Sequence, residues 1–372
     1  MLPLRRNQSS YKMKLEPPLN EKYGTDRSTI FEAQRKAQEL AFAPIAFQAT
    51  RMMWKLGIFK ILNDNPKGIT LEDIAGQAGL SLYAVKVLVE ASLSAGTVIV
   101  KGDLFFITKT GWYILNDKMT QVNIDFTNDV NYLGFYNIEE ALKEGRPAGL
   151  RTFGNWTTVY EGLSELPKDV QDSWFGFDHF YSDSSFEEAL KIVFNHPVKR
   201  LLDVGGNTGR FAMQCANYNK DVEITVMDLP QQCKMLNNNV KDFAQKSRIS
   251  THPADVLTDV EFPQGFDAVW MSQFLDCFSE EQILHIVTAA RRALKPGARL
   301  FVMETFWDRQ KYEAATYCLT MTSLYFTVIA NGNSKMYYSG DMIKIFEKAG
   351  YRICNIYDNL AFGHSIVECQ VL

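Results

Sequence analysis

Five acidic residues in the second half of the chain stand where acids can do chemistry: Asp203, Asp228, Asp255, Asp276 and Glu304. The first lies in Lys199-Arg-Leu-Leu-Asp-Val-Gly-Gly-Asn-Thr-Gly209, an apolar strand that ends on an acid and then breaks into glycines. Strand, tight turn and helix in that order put backbone N–H groups where a nucleotide-like ligand sits. Gly205, Gly206 and Gly209 leave no Cβ in the way, and Asn207 is of the non-glycine type that best tolerates left-handed dihedrals. A dinucleotide fingerprint would need glycines at 207 and 210, where this chain has Asn207 and Arg210, so the NAD reading weakens. Asp228, in Asp228-Leu229-Pro230, is placed to accept hydrogen bonds from both hydroxyls of a ribose. Asp255 is placed to accept from an adenine amino group, with Val256 against the ring.

The elements that must position these acids alternate from residue 197 onward with the spacing of βαβ units, which implies a mostly parallel, doubly wound α/β sheet. Strands are expected at Val222 to Met227, Phe266 to Met271 and Arg299 to Met303, with Tyr351 to Tyr357 and Ser365 to Val371 forming a closing hairpin. Ser279-Glu-Glu-Gln282 caps a helix that Lys295-Pro-Gly297 is expected to end. Ligands of such sheets bind at the carboxyl ends of the strands, where Asp203, Asp228, Asp276 and Glu304 would all sit.

Upstream, Thr29-Ile-Phe-Glu32 has capping-box form and opens an alanine-rich helical stretch, expected to be interrupted at Pro44. Two further helices break at Gly79-Leu80-Ser81, and a hairpin follows around Lys101-Gly-Asp103, the outline of a winged helix-turn-helix. A DNA-reading helix should be rich in Arg, Lys, Asn and Gln, whereas Ser81 to Ala91 offers only Lys86 as a base, so no nucleic-acid partner is expected. Phe42, Phe47, Met52, Met53 and Trp54 exceed what one small domain can bury and point to a dimer. Residues 116–190 are aromatic-rich, with Trp156, Tyr160, Trp174, Phe175, Phe177, Phe180 and Tyr181 as core or pocket wall and Asp178-His-Phe-Tyr-Ser-Asp183 as a lid over a ligand. The division read from these signals is a loose tail (1–20), a winged-helix dimerisation domain (21–115), a helical connecting and substrate-pocket region (116–190) and a ligand-binding sheet domain (191–372).

Composition excludes several classes. The chain has 372 residues, 46% apolar and 22% charged, which is that of an ordinary globular protein. A net charge of -4 is no footprint for nonspecific nucleic-acid binding. The six cysteines are scattered with no C-x-x-C pair, so neither a metal site nor a disulfide framework is indicated. No apolar run reaches membrane-spanning length and the first twenty residues lack a signal-peptide core, so a cytoplasmic protein with reduced thiols is expected.

With winged helix, Asp203-Val-Gly-Gly-Asn-Thr-Gly209, Asp228-Leu-Pro230, Asp255, Phe278-Ser-Glu-Glu281 and Glu304 in this order, the chain resembles the plant caffeate-type and bacterial S-adenosylmethionine (SAM)-dependent O-methyltransferases over about residues 25 to 372. The likeness implies a class I methyltransferase sheet of seven strands behind a winged-helix dimerisation domain, a homodimer, and SAM as cofactor. By the likeness Asp203, Gly205, Gly206, Asn207, Gly209, Asp228, Leu229, Asp255 and Val256 hold SAM. The family's catalytic histidine falls on Asp276 and the aspartate after it on Cys277, while Glu304 matches a glutamate that orients the base. A second such glutamate should fall in Ser334-Lys-Met-Tyr-Tyr338, which has no acid.

The implied reaction is methyl transfer to an oxygen of an aromatic or hydrophobic small molecule, an in-line displacement in which the protein mainly aligns the partners. An ordinary Asp taking a proton from a phenol faces roughly six pKa units, about 8 kcal/mol, so Asp276 needs a raised pKa or the acceptor must be more acidic. Two alternatives stay open: a SAM-binding protein without transfer activity, and a ligand-sensing winged-helix regulator.

Overall fold

A computed structural model describes residues 15, 19–258 and 261–372, without the side chains of Ser182 and Asp183. Most of the tail expected at 1–20 lies outside the described residues, as does the side chain of Asp183 in the expected lid. The chain forms two compact units, Met1–Gln121 and Val122–Leu372.

In the first unit the helix Ile30–Lys55 begins at the expected capping box. Thr29 Oγ1 accepts from the Glu32 N–H at 3.2 Å, and Glu32 Oε2 accepts from the Thr29 N–H at 2.8 Å. The interruption expected at Pro44 does not occur, because the helix runs straight through it. Ala41, Ala43 and Ala46 lie near it on an exposed stretch, where water can take the carbonyl it orphans. Helices Leu71–Ala78 and Leu82–Ser94 break where Gly79 turns left-handed (φ 65°) and Ser81 caps the Ala84 N–H. An antiparallel hairpin of β1 (Val98–Lys101) and β2 (Leu104–Ile107) follows. Met53 is fully buried in this unit's own core with Ile58, Phe59 and Val89, so it is no dimer contact. The exposed apolar surface of the long helix is instead Ile30, Phe31, Leu40, Phe42 and Ile45.

The second unit carries a seven-stranded sheet in the order β5-β4-β3-β6-β7-β9-β8. Its strands are β3 (Arg200–Val204), β4 (Glu223–Asp228), β5 (Ile249–Pro253), β6 (Phe266–Ser272), β7 (Leu294–Glu304), β8 (Tyr351–Leu360) and β9 (His364–Val371). β9 runs antiparallel to β7 and β8, which is the closing hairpin expected from the sequence, and the other neighbours are parallel. Lys295-Pro-Gly297 does not end the capped helix, which stops at Ala290. Leu294 already pairs with Phe266, and the pairing resumes at Arg299 with Ala268, so the Pro-Gly turn bulges out of the start of β7.

Strand alternation sends Leu202, Val204, Met271 and Val302 to one face, under helices Glu280–Ala290 and Ser339–Lys348. Leu201, Val226, Trp270 and Phe301 face the other side, under helices Phe186–Val193 and Arg210–Tyr218. A third core gathers Phe126, Trp174, Tyr325 and Phe326 beside the sheet. The apolar payload of the unit thus fixes β3 and β6 at the centre, and the order reverses there, which is where open α/β sheets bind ligands. Among the described residues no single helix is long and apolar enough to cross a membrane.

Candidate functional site

The glycine turn after β3 takes the shape its residues suggest. Gly205 and Gly209 have φ of 78° and 83°, and Asn207 has φ of 47°, so the position without glycine is held in the left-handed region by the residue type that tolerates it. A Cβ on Gly205 would stand 2.2 Å from the Phe274 ring, and one on Gly206 would stand 2.6 Å from Asp203 Oδ2. These two glycines let the loop pass between the acid and the aromatic ring.

Above the turn lies a cavity of about 80 Å3 lined by Asp203, Gly205, Gly206, Asn207 and Thr208, by Asp178 and His179, and by Arg210, Ser272 and Gln273, with Phe186, Phe211 and Trp270 as its apolar wall. Asp203 is 2% exposed and its Oδ2 has no hydrogen-bond partner among the described residues. Burial, and after it the charge of Asp228, pushes its pKa up to about 8. A buried acid with an unmatched oxygen at the mouth of a cavity is a place for a cationic or hydrogen-donating ligand.

Asp228 ends β4 beside this loop. Its Oδ2 accepts from the Asn207 N–H at 2.8 Å and its Oδ1 from the Leu229 N–H at 2.7 Å, so each oxygen keeps a lone pair for a further donor. Burial raises its pKa, and these two N–H groups oppose the rise. The Ala254 N–H donates to the Asp228 carbonyl at 2.9 Å, which ties the start of the next loop to this strand end. In that loop Asp255 Oδ1 accepts from the Leu257 N–H at 2.9 Å, while Val256 packs into the main core. Gly209, Asp228, Leu229, Asp255 and Val256 are not among the residues that line the cavity, so the structure gathers Asp203, Gly205, Gly206 and Asn207 there and sets the others around it.

Asp276 lies in a tight turn, Leu275–Cys277, that Glu304 holds from the end of β7. Glu304 Oε1 accepts from the N–H groups of Phe274 and Leu275 at 3.1 and 2.8 Å. Asp276 and Glu304 are 6% and 3% exposed. Burial pushes Asp276 up to about 6, with the neighbouring Cys277 thiol and its own N–H holding it back. Glu304 is raised as well, first by burial and then by the charge of Asp276, so the two acids share the strain of a buried charge. Cys277 Sγ lies 3.5 Å from Asp276 Oδ1, with the Tyr160 hydroxyl as its other polar neighbour.

The segment Ser334 to Tyr338, which has no acid, and the residues before it hold the turn in another way. Asn331 Nδ2 donates to the Cys277 carbonyl at 2.7 Å and the Tyr337 hydroxyl donates to the Phe278 carbonyl at 2.5 Å, so the far side of the turn is gripped by neutral donors. The aromatic residues divide. Trp174, whose Nε1 donates to the Tyr325 hydroxyl at 2.7 Å, and Tyr160 join the third core, while Phe180 stacks on Phe362 at 5.0 Å. Trp270 and Gln273 carry no sequence signal, and Arg210 shows in the sequence only as a departure from the dinucleotide pattern. Trp270 reads as one more apolar strand residue, yet it is the register partner of Asp203 and stacks on Phe211 at 4.5 Å. Gln273 has φ of 45°, a strained conformation that no sequence signal announces.

A seven-stranded, centrally reversing sheet with one antiparallel strand, a glycine turn after its central strand and acids at successive strand ends defines a class I methyltransferase. A family model for the O-methyltransferase domain matches residues 135–352 and one for a Dimerisation2-like domain matches residues 34–105. The chain belongs to the O-methyltransferase family.

It is 19% identical over 283 residues to acetylserotonin O-methyltransferase of Gallus gallus, a match that covers 72% of this chain and 79% of that one. Norreticuline-7-O-methyltransferase of Papaver somniferum is 23% identical over 262 residues, 69% of this chain and 63% of the poppy enzyme. With 3-hydroxy-5-methyl-1-naphthoate 3-O-methyltransferase of Streptomyces sahachiroi the match is 31% over 114 residues and spans 33% of that enzyme's length. Among solved structures the SAM-dependent methyltransferase SibL in apo form superimposes with a TM-score of 0.70 at 23% identity, covering 90% of this chain and 98% of that one. Human N-acetylserotonin methyltransferase in complex with SAM gives 0.61 at 17% identity, covering 93% and 99%.

The cofactor of the family is SAM, and the residues present fit it. The unmatched Asp203 oxygen suits the ammonium of an amino-acid tail, the glycine loop leaves room against it, and Asp228 retains lone pairs for two hydroxyl donors.

Proposed function

We propose that this chain is a SAM-dependent methyltransferase that methylates an oxygen of an aromatic or hydrophobic small molecule. The observation that carries the reading is the joining of Asp228 to the glycine turn through the Asn207 N–H, beside a buried Asp203. In this reading Asp203, Gly205, Gly206, Asn207 and Gly209 shape the seat of the amino-acid tail, Asp228 and Leu229 that of the ribose, and Asp255 and Val256 that of the adenine. The bound cofactor supplies a methyl group activated by a sulfonium.

Asp276 and Glu304 are the catalytic acids of the proposal. Glu304 keeps the turn in place through two backbone N–H groups, and Asp276 receives the acceptor's proton. With its pKa pushed to about 6, the gap to a phenol narrows to about four units, or about 5 kcal/mol, which desolvation and alignment in the transition state must offset. Turnover of methyl-labelled SAM against a panel of phenols tests the reading. Labelled product supports it, and tight SAM binding with no transfer to any phenol would favour a cofactor-binding protein that has lost transfer, a reading to which Cys277 in the family's aspartate position lends weight.

The domain roles follow the same reading: residues 21–115 for dimerisation, 116–190 for the acceptor pocket and 191–372 for the cofactor. A homodimer is proposed through the long helix Ile30–Lys55, whose exposed Ile30, Phe31, Phe42 and Ile45 need a cover, within or next to the Dimerisation2-like match. Six unpaired cysteines suit a reducing compartment, and the cytoplasm is the one proposed.

A further inference from the structure

The cavity over the glycine turn is the tail and sulfonium end of the cofactor seat, since Asp228, Asp255 and Val256, the proposed ribose and adenine positions, all lie outside its lining. Two of its titratable groups match the ends of an amino-acid tail: Arg210 for the carboxylate, and Asp203, whose unmatched oxygen can accept from the ammonium. That leaves His179 and its neighbour Asp178, which enter the cavity from helix Lys168–Ser182. The imidazole is stacked on Phe175 with ring centroids 5.7 Å apart and planes at 24°, and its Nδ1 lies 3.6 Å from Asp178 Oδ2. It is one-quarter exposed, with a side-chain exposure of 23%, so it can exchange protons with solvent while facing the cavity.

We propose that His179 sets the cofactor specificity of this seat by charge: neutral, it admits the sulfonium of SAM; protonated, it repels that cation and leaves the neutral thioether of S-adenosylhomocysteine (SAH) preferred. This deepens the methyltransferase reading and rests on it. The physical reason is that SAM and SAH share tail, ribose and adenine and differ at sulfur by a methyl group and one positive charge. An imidazolium in the same small cavity acts on that difference in a medium far less screening than water. An unperturbed imidazole titrates near 6.5, inside the range where cytoplasmic pH changes alter its charge. Product inhibition would therefore deepen as pH falls, and turnover would slow without any change at Asp276.

Among the described residues, the charged groups that line the cavity with His179 are Asp178 from its own helix, Asp203 from β3 and Arg210 from the following helix. Asp178 favours the imidazolium and Arg210 opposes it; Asp203, pushed up to about 8 by burial, also changes charge near this range, and its effect is the part of the pH dependence that His179→Gln retains.

The test needs no acceptor. Dissociation constants of SAM and of SAH are measured by calorimetry on the full chain between about pH 5.5 and 8, for wild type and His179→Gln. The proposal expects the ratio of the SAM to the SAH constant to rise about tenfold or more as pH falls through the imidazole range, and to keep only the Asp203 part of that rise in His179→Gln. A flat ratio in wild type, or an equal rise in the variant, overturns it. If both ligands instead bind more tightly at low pH in wild type and not in the variant, His179 is a carboxylate partner and the proposal is wrong. Binding of neither ligand by wild type at any pH would remove the methyltransferase reading itself, and SAH binding by the variant shows that its seat is folded.

Discussion

The proposed cofactor end of the site and its proposed acceptor end are built differently. Around the turn after β3 the geometry is carried by backbone: three glycines, one left-handed asparagine, and Asp228, whose oxygens accept from the N–H groups of Leu229 and of Asn207 in the turn. Around Asp276 the geometry is carried by side chains reaching in from distant segments, with Glu304 from β7, Tyr160 from the helical region and Asn331 and Tyr337 from before the last helix. A backbone site tolerates few changes and leaves a short motif. A side-chain site can change its chemistry one residue at a time, and here it holds an Asp and a Cys where the sequence resemblance implies His and Asp.

That contrast can be broken by mutation. The largest effect is expected at Asp276. If its carboxylate receives the proton, Asp276→Asn lowers kcat by about 10² to 10⁴ with SAM affinity unchanged, and the wild-type rate rises with pH through a value near 6. A pH-rate profile on a phenol that the enzyme turns over checks this. An Asn variant with the wild-type rate and profile would make Asp276 structural. Asp276→His places the family's base beside Glu304, and regained or raised activity at neutral pH would show that the turn still positions a base.

Next in size is the turn itself. Glu304→Ala removes the acceptor of two N–H groups and is expected to cost about 2 to 3 kcal/mol in denaturant unfolding, whereas Glu304→Gln, which resembles the protonated acid, should cost under about 1 kcal/mol. Equal losses in the two variants would mean that Glu304 is ionised.

Smaller still is the effect of pH on the cofactor end. Asp203 keeps its proton to about pH 8 in the fold and releases it near 4 when unfolded. The unfolded chain therefore binds fewer protons between those values, so this group's contribution to stability is full below about pH 4 and is lost as pH rises toward 8. Asp203→Asn should flatten the fall of melting temperature over that window, as scanning calorimetry without cofactor would show.

The same division explains what was legible in the sequence. The glycine turn, the capping boxes at Thr29 and Ser279 and the closing hairpin are local patterns, and each could be placed from a few consecutive residues. Pro44 misled because a proline breaks a helix only where the freed carbonyl and the ring lack room, and here both face an exposed alanine-rich stretch. Lys295-Pro-Gly297 misled because a bulge can hold a turn inside a strand pair. Arg210, Trp270 and Gln273 carry no motif, and their place at the cavity depends on strand register and on one positive φ. The grip of Asn331 and Tyr337 on the Asp276 turn joins residues more than fifty positions apart, beyond the reach of spacing arguments.

The most direct measurement is calorimetric titration of SAM into the wild-type chain and into Asp228→Ala. Wild type should bind SAM, and the variant should lose about 1.5 to 3 kcal/mol, roughly 10- to 150-fold in affinity, because both ribose hydroxyls lose a charged acceptor and the Asn207 N–H loses its anchor. Equal affinity in the two proteins, or no binding by wild type, would contradict the cofactor site described here.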